Sequence, residues 1–443
     1  MDSRPSIIYL RFLFLVSLCS YAEDLISIDV AATPDSSPLG FSADSHAPRW
    51  DTSGYMTYCP CMGRFGNQID NFLGVLRLAS ELNRTLILPH HIEYSSQGTR
   101  EFPSFTRYFE LAELAKFHRV ITSSEFLIHL APTHWPPVQR ASYCYAASAT
   151  SQGVAQPSSQ LCEMRRGQPS TDYWNQFTML GPNGMQFEKS FNFRWDETQI
   201  SEWHRAFPAS VHPVIVLQGA PTKYPVLERN RELQRFLKWS PDVRKQARQF
   251  LLQELGRTRD LLKTTLPVRE ETGRKFIGIH LRNGIDWKKA CEGAVGQRQY
   301  MSSPQCLPDA SSVRSSQAST DGVITNAMCL PAARTVAKHV RRLARRDNIT
   351  NVFVASDSDF MVAELSKIRV RGPASATEKG PAILMNVHRL PTPNLHVEMA
   401  ILGVADYFVG NCVSSVTAFV KRQRDSDNRP SGFFGVVENT RSV

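Results

Sequence analysis

The stretch Lys275-Phe276-Ile277-Gly278-Ile279-His280-Leu281-Arg282-Asn283-Gly284-Ile285-Asp286-Trp287-Lys288 decides the fold. Its first half is apolar and β-prone, the pattern of a strand buried on both faces of a parallel sheet. Its second half turns polar abruptly, so a loop begins where the strand ends. In open α/β sheets ligands bind at the carboxyl ends of strands. An arginine at that place can grip an anion through two parallel N–H···O bonds. A second run, Tyr58-Cys59-Pro60-Cys61-Met62-Gly63-Arg64-Phe65-Gly66-Asn67-Gln68, has the same character and puts Arg64 between two glycines at a helix start. Two strand-end arginines in two halves of one chain suggest a diphosphate-bearing ligand held in a cleft between two lobes.

Outward from these runs, strands alternate with helices, which argues for parallel sheets. In the first half, strands are expected at Met56–Cys61, Thr85–Pro89, Arg119–Ile121 and Pro213–Leu217, with a helix over Gln68–Asn83. In the second half, strands are expected at 276–281, Asn351–Ala355, Ile383–His388 and Tyr407–Gly410. Helices fall at 331–346, Asp359–Lys367 and Leu395–Asp406, and Arg371–Pro381 reads as a loop. Residues 231–255 read as helical and 257–274 as a linker. The division that follows is a leader at 1–22, a Ser/Asp/Pro/Ala-rich lead-in at 23–54 and a first Rossmann-like lobe at 55–230. A helical linker at 231–274 leads to a second Rossmann-like lobe at 275–412, and 413–443 returns toward the first lobe.

The leader sets the compartment. Arg4 precedes the apolar segment Ile7–Leu18, broken by Arg11, and Ser20-Tyr21-Ala22 supplies small residues at cleavage spacing. The run is too short for a membrane span and reads as a secretory signal peptide. Of the nine cysteines, Cys19 leaves with it. The remaining Cys59, Cys61, Cys144, Cys162, Cys291, Cys306, Cys329 and Cys412 form an even set, which in a secretory chain favours disulfides over zinc. The sequons Asn83-Arg84-Thr85 and Asn348-Ile349-Thr350 fit a lumenal protein. The net charge of +10 suits an anionic small ligand better than nucleic acid on that route. The cluster Arg341-Arg342-Leu343-Ala344-Arg345-Arg346 reads as a solvated helix face.

The runs Tyr58–Gln68, Leu130–Pro137, Gly278–Trp287, Ser303–Cys306, Met328–Pro331 and Gly410–Ser415, in this order over residues 55–435, resemble the GDP-fucose protein O-fucosyltransferases that act on EGF-like repeats. The resemblance implies a GT-B fold and inverting transfer of L-fucose from GDP-β-L-fucose to Ser or Thr. It implies work in the endoplasmic reticulum on folded EGF-like repeats of Notch-type proteins, with no nucleic acid and no stable membrane insertion. It implies the bridges Cys59–Cys61, Cys144–Cys162, Cys291–Cys329 and Cys306–Cys412. The final residues Asn439–Val443 are not the KDEL-like retrieval signal that relatives often carry, so retention needs another route.

The resemblance also assigns roles. Arg282 falls where the family grips the diphosphate, and Arg64, Phe65, Gly66 and Asn67 match the donor-binding loop, with Asn67 orienting the acceptor hydroxyl. His280 matches a nucleotide-contacting histidine, with Leu281 beside it, and Asp286 orients the arginine or meets the ligand. Glu398 stands where the family has an aspartate near guanine; a carboxylate there can accept from N1–H and N2–H together. Ser415 and Thr417 supply hydroxyls to phosphate, and Val416 replaces an aromatic of relatives. Asp357-Ser358-Asp359 imitates a metal-binding motif but reads as a helix cap, so no essential metal or cofactor is expected. Two other readings remain open: a chaperone that binds EGF repeats without catalysis, and the same enzyme acting on thrombospondin-type repeats.

Overall fold

A computed structural model describes residues 48–94, 98–140, 142–145, 172–174, 187–191, 198–257, 273–307, 322–358, 361–371 and 382–436. Two parallel sheets organise them. The first is built from Tyr55–Tyr58 (β1), Thr85–Leu88 (β2), Val120–Thr122 (β3), Ser142–Tyr145 (β4), Phe187–Phe191 (β5) and Val214–Leu217 (β6), in the order β3-β2-β1-β6-β4-β5. The second contains Phe276–Leu281 (β7), Asn351–Ser356 (β8), Asn386–His388 (β9), Tyr407–Gly410 (β10) and Ser431–Phe433 (β11), in the order β9-β8-β7-β10-β11. β1 and β7 are buried at every residue, which explains why they are mostly apolar, with Thr57 and His280 the buried polar exceptions. The register places His280 between Ala355 and Gly410, so Arg282 follows directly on the end of a central strand.

Helix Phe65–Glu81 (α1) follows the first strand, with Arg64 in extended backbone as its N-cap. It starts three residues before the expected Gln68, because Cys59–Gly63 is loop and β1 stops at Tyr58, not Cys61. The expected helix over 231–255 is interrupted: Trp239 bridges to Phe109, and Ser240 then caps helix Pro241–Leu255 (α2), whose first residue is proline. The expected strand Ile383–His388 divides in two. Ala382–Leu384 pairs antiparallel with Arg369–Arg371, and only Asn386–His388 joins the main sheet.

Helix Ile285–Ala294 (α3), absent from the expectation, opens directly after the Arg282 loop. Helix Ala333–Asp347 (α4) covers the second sheet through Val336, Val340 and Leu343. Helix Leu395–Gly403 (α5) ends earlier than Asp406. Its sequence is largely apolar, and even its polar His396 and Glu398 are buried, because it is enclosed on all sides. The buried guanidinium of Arg424 donates to the carbonyls of Leu402, Gly403 and Ala405, which are freed at the end of that helix.

The last helix, Ser415–Ser426 (α6), packs on α1, and the strand after it, β11, pairs with β10 of the second sheet. Residues 415–433 therefore touch both halves. The seam holds a buried ion pair, Arg422 to Asp70 at 2.6 Å, with Arg422 also donating to Gln234 at 3.2 Å. Around it, Phe65, Phe109, Trp239 and Phe419 merge the two halves into one apolar core.

The expected leader, residues 23–47 of the lead-in, the 258–272 part of the linker, Cys162, Asp359 and the last seven residues lie outside the described residues. The pairing Cys144–Cys162 therefore does too. The rest of the expected lead-in, 48–54, is not loose but part of the first lobe, where Asp51 accepts from Thr85 and Arg119 and Trp50 packs on Tyr55. The structure joins Cys59 to Cys61, Cys291 to Cys329 and Cys306 to Cys412. Asn83 and Asn348 are exposed and take left-handed backbone at helix ends. No helix among the described residues is long and apolar enough to cross a membrane.

Candidate active site at the facing strand ends

Arg282 is held on several sides. Its Nη2 donates to Asp286 Oδ2 at 2.8 Å, and its guanidinium lies 5.0 Å from the centre of the Trp287 ring. Its backbone N–H donates to Asn411 Oδ1 at 2.9 Å. Asp357 Oδ2 stands 4.0 Å from Nε, too far for a hydrogen bond, and the buried Nε has no acceptor among the described residues. A buried N–H without an acceptor costs free energy, which an anionic ligand oxygen would recover.

Asp357 does not cap a helix, as the sequence reading had it. It accepts the backbone N–H of Asn283 at 2.8 Å and so braces the arginine loop, while the short helix Val362–Ser366 has no side-chain cap. Partial burial would raise the Asp286 carboxyl, but the Arg282 hydrogen bond and charge, the Trp287 N–H and the charge of Arg64 together lower it. Both arginines thus act on one carboxylate. Among the described residues no three His, Cys, Asp or Glu side chains converge as a metal-binding group.

His280 is buried, and its Nδ1 lies 2.8 Å from Thr417 Oγ1. Burial and then the charge of Arg282 push it down to about 3, so the ring is neutral at physiological pH. Leu281 is buried in the sheet core and Val416 in the core between the halves. Glu398 lies in the first turn of α5, 8% exposed, and burial pushes its carboxyl up to about 7 against the opposing charge of Arg389.

Across the seam, Asn67 is not a helix cap. Its Oδ1 accepts from Ser415 Oγ at 2.6 Å, tying the start of α1 to the start of α6. Two glycines make this fit. A Cβ on Gly66 would fall 2.6 Å from Ser415 Oγ and 2.8 Å from its backbone carbon. Gly63 turns with φ +68, and a Cβ there would fall 2.4 Å from Asn67 Nδ2. With Gly66 and Ser415 in contact, two helix N-termini meet at one point, a setting that favours anions.

Beside them lies a cavity of about 550 Å³ lined in part by Arg64, Phe65, Glu93, Tyr108, Asn394 and His396. There His396 stacks on Tyr108 at 3.8 Å, and Tyr108 donates to Glu93. Burial and then Arg107 push His396 down to about 3. This cluster was not foreseen, because its members come from three distant segments that carry no shared motif.

Two parallel-sheet lobes with arginines beyond their strand ends have the layout expected of a GT-B glycosyltransferase, and the comparisons with known proteins agree. A family model described as GDP-fucose protein O-fucosyltransferase matches residues 55–427. The chain is 32% identical to GDP-fucose protein O-fucosyltransferase 1 of Caenorhabditis elegans over 395 residues, 87% of this chain and 91% of that protein. Crystal structures of POFUT1 in complex with GDP and with GDP-fucose each superpose with a TM-score of 0.70 at 30% identity, covering 88% of this chain and 100% of theirs. The chain belongs to the GDP-fucose protein O-fucosyltransferase family, and is thus a fucosyltransferase.

Proposed function

We propose that this protein transfers L-fucose from GDP-β-L-fucose, with inversion, to a Ser or Thr hydroxyl of folded EGF-like repeats in Notch-type proteins. The observation that carries the reading is Arg282, braced at the end of β7 with an N–H lacking an acceptor, across from the loop of Arg64 and Asn67. Breaking the sugar–phosphate bond builds negative charge on GDP. A fixed guanidinium strengthens its bonds as that charge grows. Arg64 and the helix starts at Gly66 and Ser415 meet the same diphosphate, Thr417 and His280 bound its floor, and Glu398 receives guanine. Asn67 orients the acceptor hydroxyl. Phosphate accepts the proton, and the positive charge comes from arginine, so the reaction needs no metal. The work takes place in the lumen of the endoplasmic reticulum, a compartment that suits the disulfides.

The test is transfer of labelled fucose from GDP-fucose to a folded EGF repeat with Ser or Thr just before its third cysteine, beside Arg282→Ala and a reduced repeat. Transfer that needs both Arg282 and the folded acceptor supports the proposal. Tight binding of the repeat without transfer would replace it with a chaperone role, and transfer only to a thrombospondin-type repeat would change the acceptor.

A further inference from the structure

One backbone carbonyl, that of Cys329, anchors two props of Arg282. Asn411 clasps the arginine from behind: its Oδ1 accepts the Arg282 N–H at 2.9 Å and its Nδ2 lies 3.2 Å from the Arg282 carbonyl oxygen. The same Nδ2 donates to the Cys329 carbonyl at 2.8 Å. Trp287, whose ring lies 5.0 Å from the guanidinium carbon, donates its indole N–H to that carbonyl at 2.9 Å. Cys329 is in turn bridged to Cys291, one helical turn beyond Trp287 on α3. Asn411, Trp287, Cys291 and Cys329 are each no more than 3% exposed.

We infer that Asn411 and Trp287 are positioning residues that act through Arg282, with the Cys329 carbonyl as their shared anchor. The inference rests on the proposed transfer reaction for its functional meaning. Asn411 fixes where the arginine leaves the strand, and Trp287 fixes the plane over which the guanidinium lies. A carbonyl has two lone pairs and can accept both donors at once. Because both props hang from one atom, movement of either is felt by the other. A misplacement of about 1 Å at a reacting group can cost about a hundredfold in rate, so the rigidity of this mount bears directly on turnover.

The experiment uses Trp287→Phe, which keeps an aromatic ring but removes the indole N–H together with part of the fused ring, and Asn411→Ser as a second variant. Each is made in the wild-type and the Arg282→Ala backgrounds, with folding checked by thermal melting. Measured are kcat, KM for GDP-fucose, and the Arg282 Nε–H NMR signal of arginine-labelled protein. Trp287→Phe is expected to lower kcat about tenfold, with KM within about twofold, and to shift the Arg282 signal. In the Arg282→Ala background neither substitution should lower kcat further, because the group they hold is gone. An equal fall in both backgrounds would assign them a merely structural role and overturn the inference. So would an unmoved Arg282 signal in folded Trp287→Phe and Asn411→Ser proteins. The NMR readout needs no reaction, so a wild-type protein that fails to transfer fucose counts against the functional reading and leaves the mount decided separately.

Discussion

Arg282 and Arg64 stand at matching ends of two sheets, yet they are held differently. Arg282 is one-fifth exposed and bonded to Asp286, with Trp287 beside its guanidinium and Asn411 on its backbone. Arg64 is exposed, and follows a left-handed glycine in a short loop at a helix start. The first is preorganised and meets developing charge without rearrangement. The second must spend side-chain entropy to meet a ligand, and in exchange can follow it. One lobe thus supplies a fixed electrostatic contact and the other an adaptable one.

The strongest way to break this comparison is to break the seam that joins the two lobes presenting the arginines. Arg422→Ala leaves Asp70 buried and unpaired, and is expected to cost about 3–5 kcal/mol of stability. Urea unfolding would read it, and replacing both partners with leucine should cost less than either single change. Arg282→Ala comes next. Turnover should fall by about a hundredfold or more, the loss seen when one oxyanion donor is removed, with the melting temperature close to wild type. Arg64→Ala should lower kcat/KM by about tenfold, the scale of one exposed charge-assisted hydrogen bond. If Arg64→Ala costs more than Arg282→Ala in steady-state assays, the contrast between fixed and adaptable arginines is wrong.

The smallest effect sharpens the same picture at the proposed guanine end. Glu398 has its folded value raised to about 7 from 4.5. Its protonated form favours the folded protein, so that contribution is present below about 4.5 and is lost as pH rises toward 7. GDP needs the ionised form as acceptor, so its affinity should run the other way. One-proton linkage gives an affinity about eightfold weaker at pH 6 than at pH 7.5. Calorimetry on wild type and Glu398→Gln would read it, the variant giving a flat profile.

The sheets were legible because their strands are short apolar runs closed by loop residues. β7 and β10 fall where the sequence places them, and β8 runs one residue further. The two arginine loops were legible for the same reason, since each follows such a strand. The seam was not. Asp70 and Arg422 are 352 residues apart, and nothing local marks either as buried. α6 hides its character too: Ser415, Thr417, Arg422 and Arg424 are polar but buried, so its apolar stripe is thin. Asp357 misled because a capping residue and a loop brace look alike until the neighbouring strand is placed.

The bonds from Asn67 to Ser415 and from Asp70 to Arg422 span 348 and 352 residues. The ribosome makes the first partner of each long before the second. At ~5–20 residues per second the face of α1 that α6 will cover waits roughly 20–70 s for its cover. Until then, Phe65 and its apolar neighbours on that face are open to other nascent chains. A chain stopped short of α6 has both arginines and most of both sheets, but not the junction at which the two helix starts meet. Completion of synthesis is therefore itself a condition for assembling the site, and partial products are excluded from working without any separate inspection.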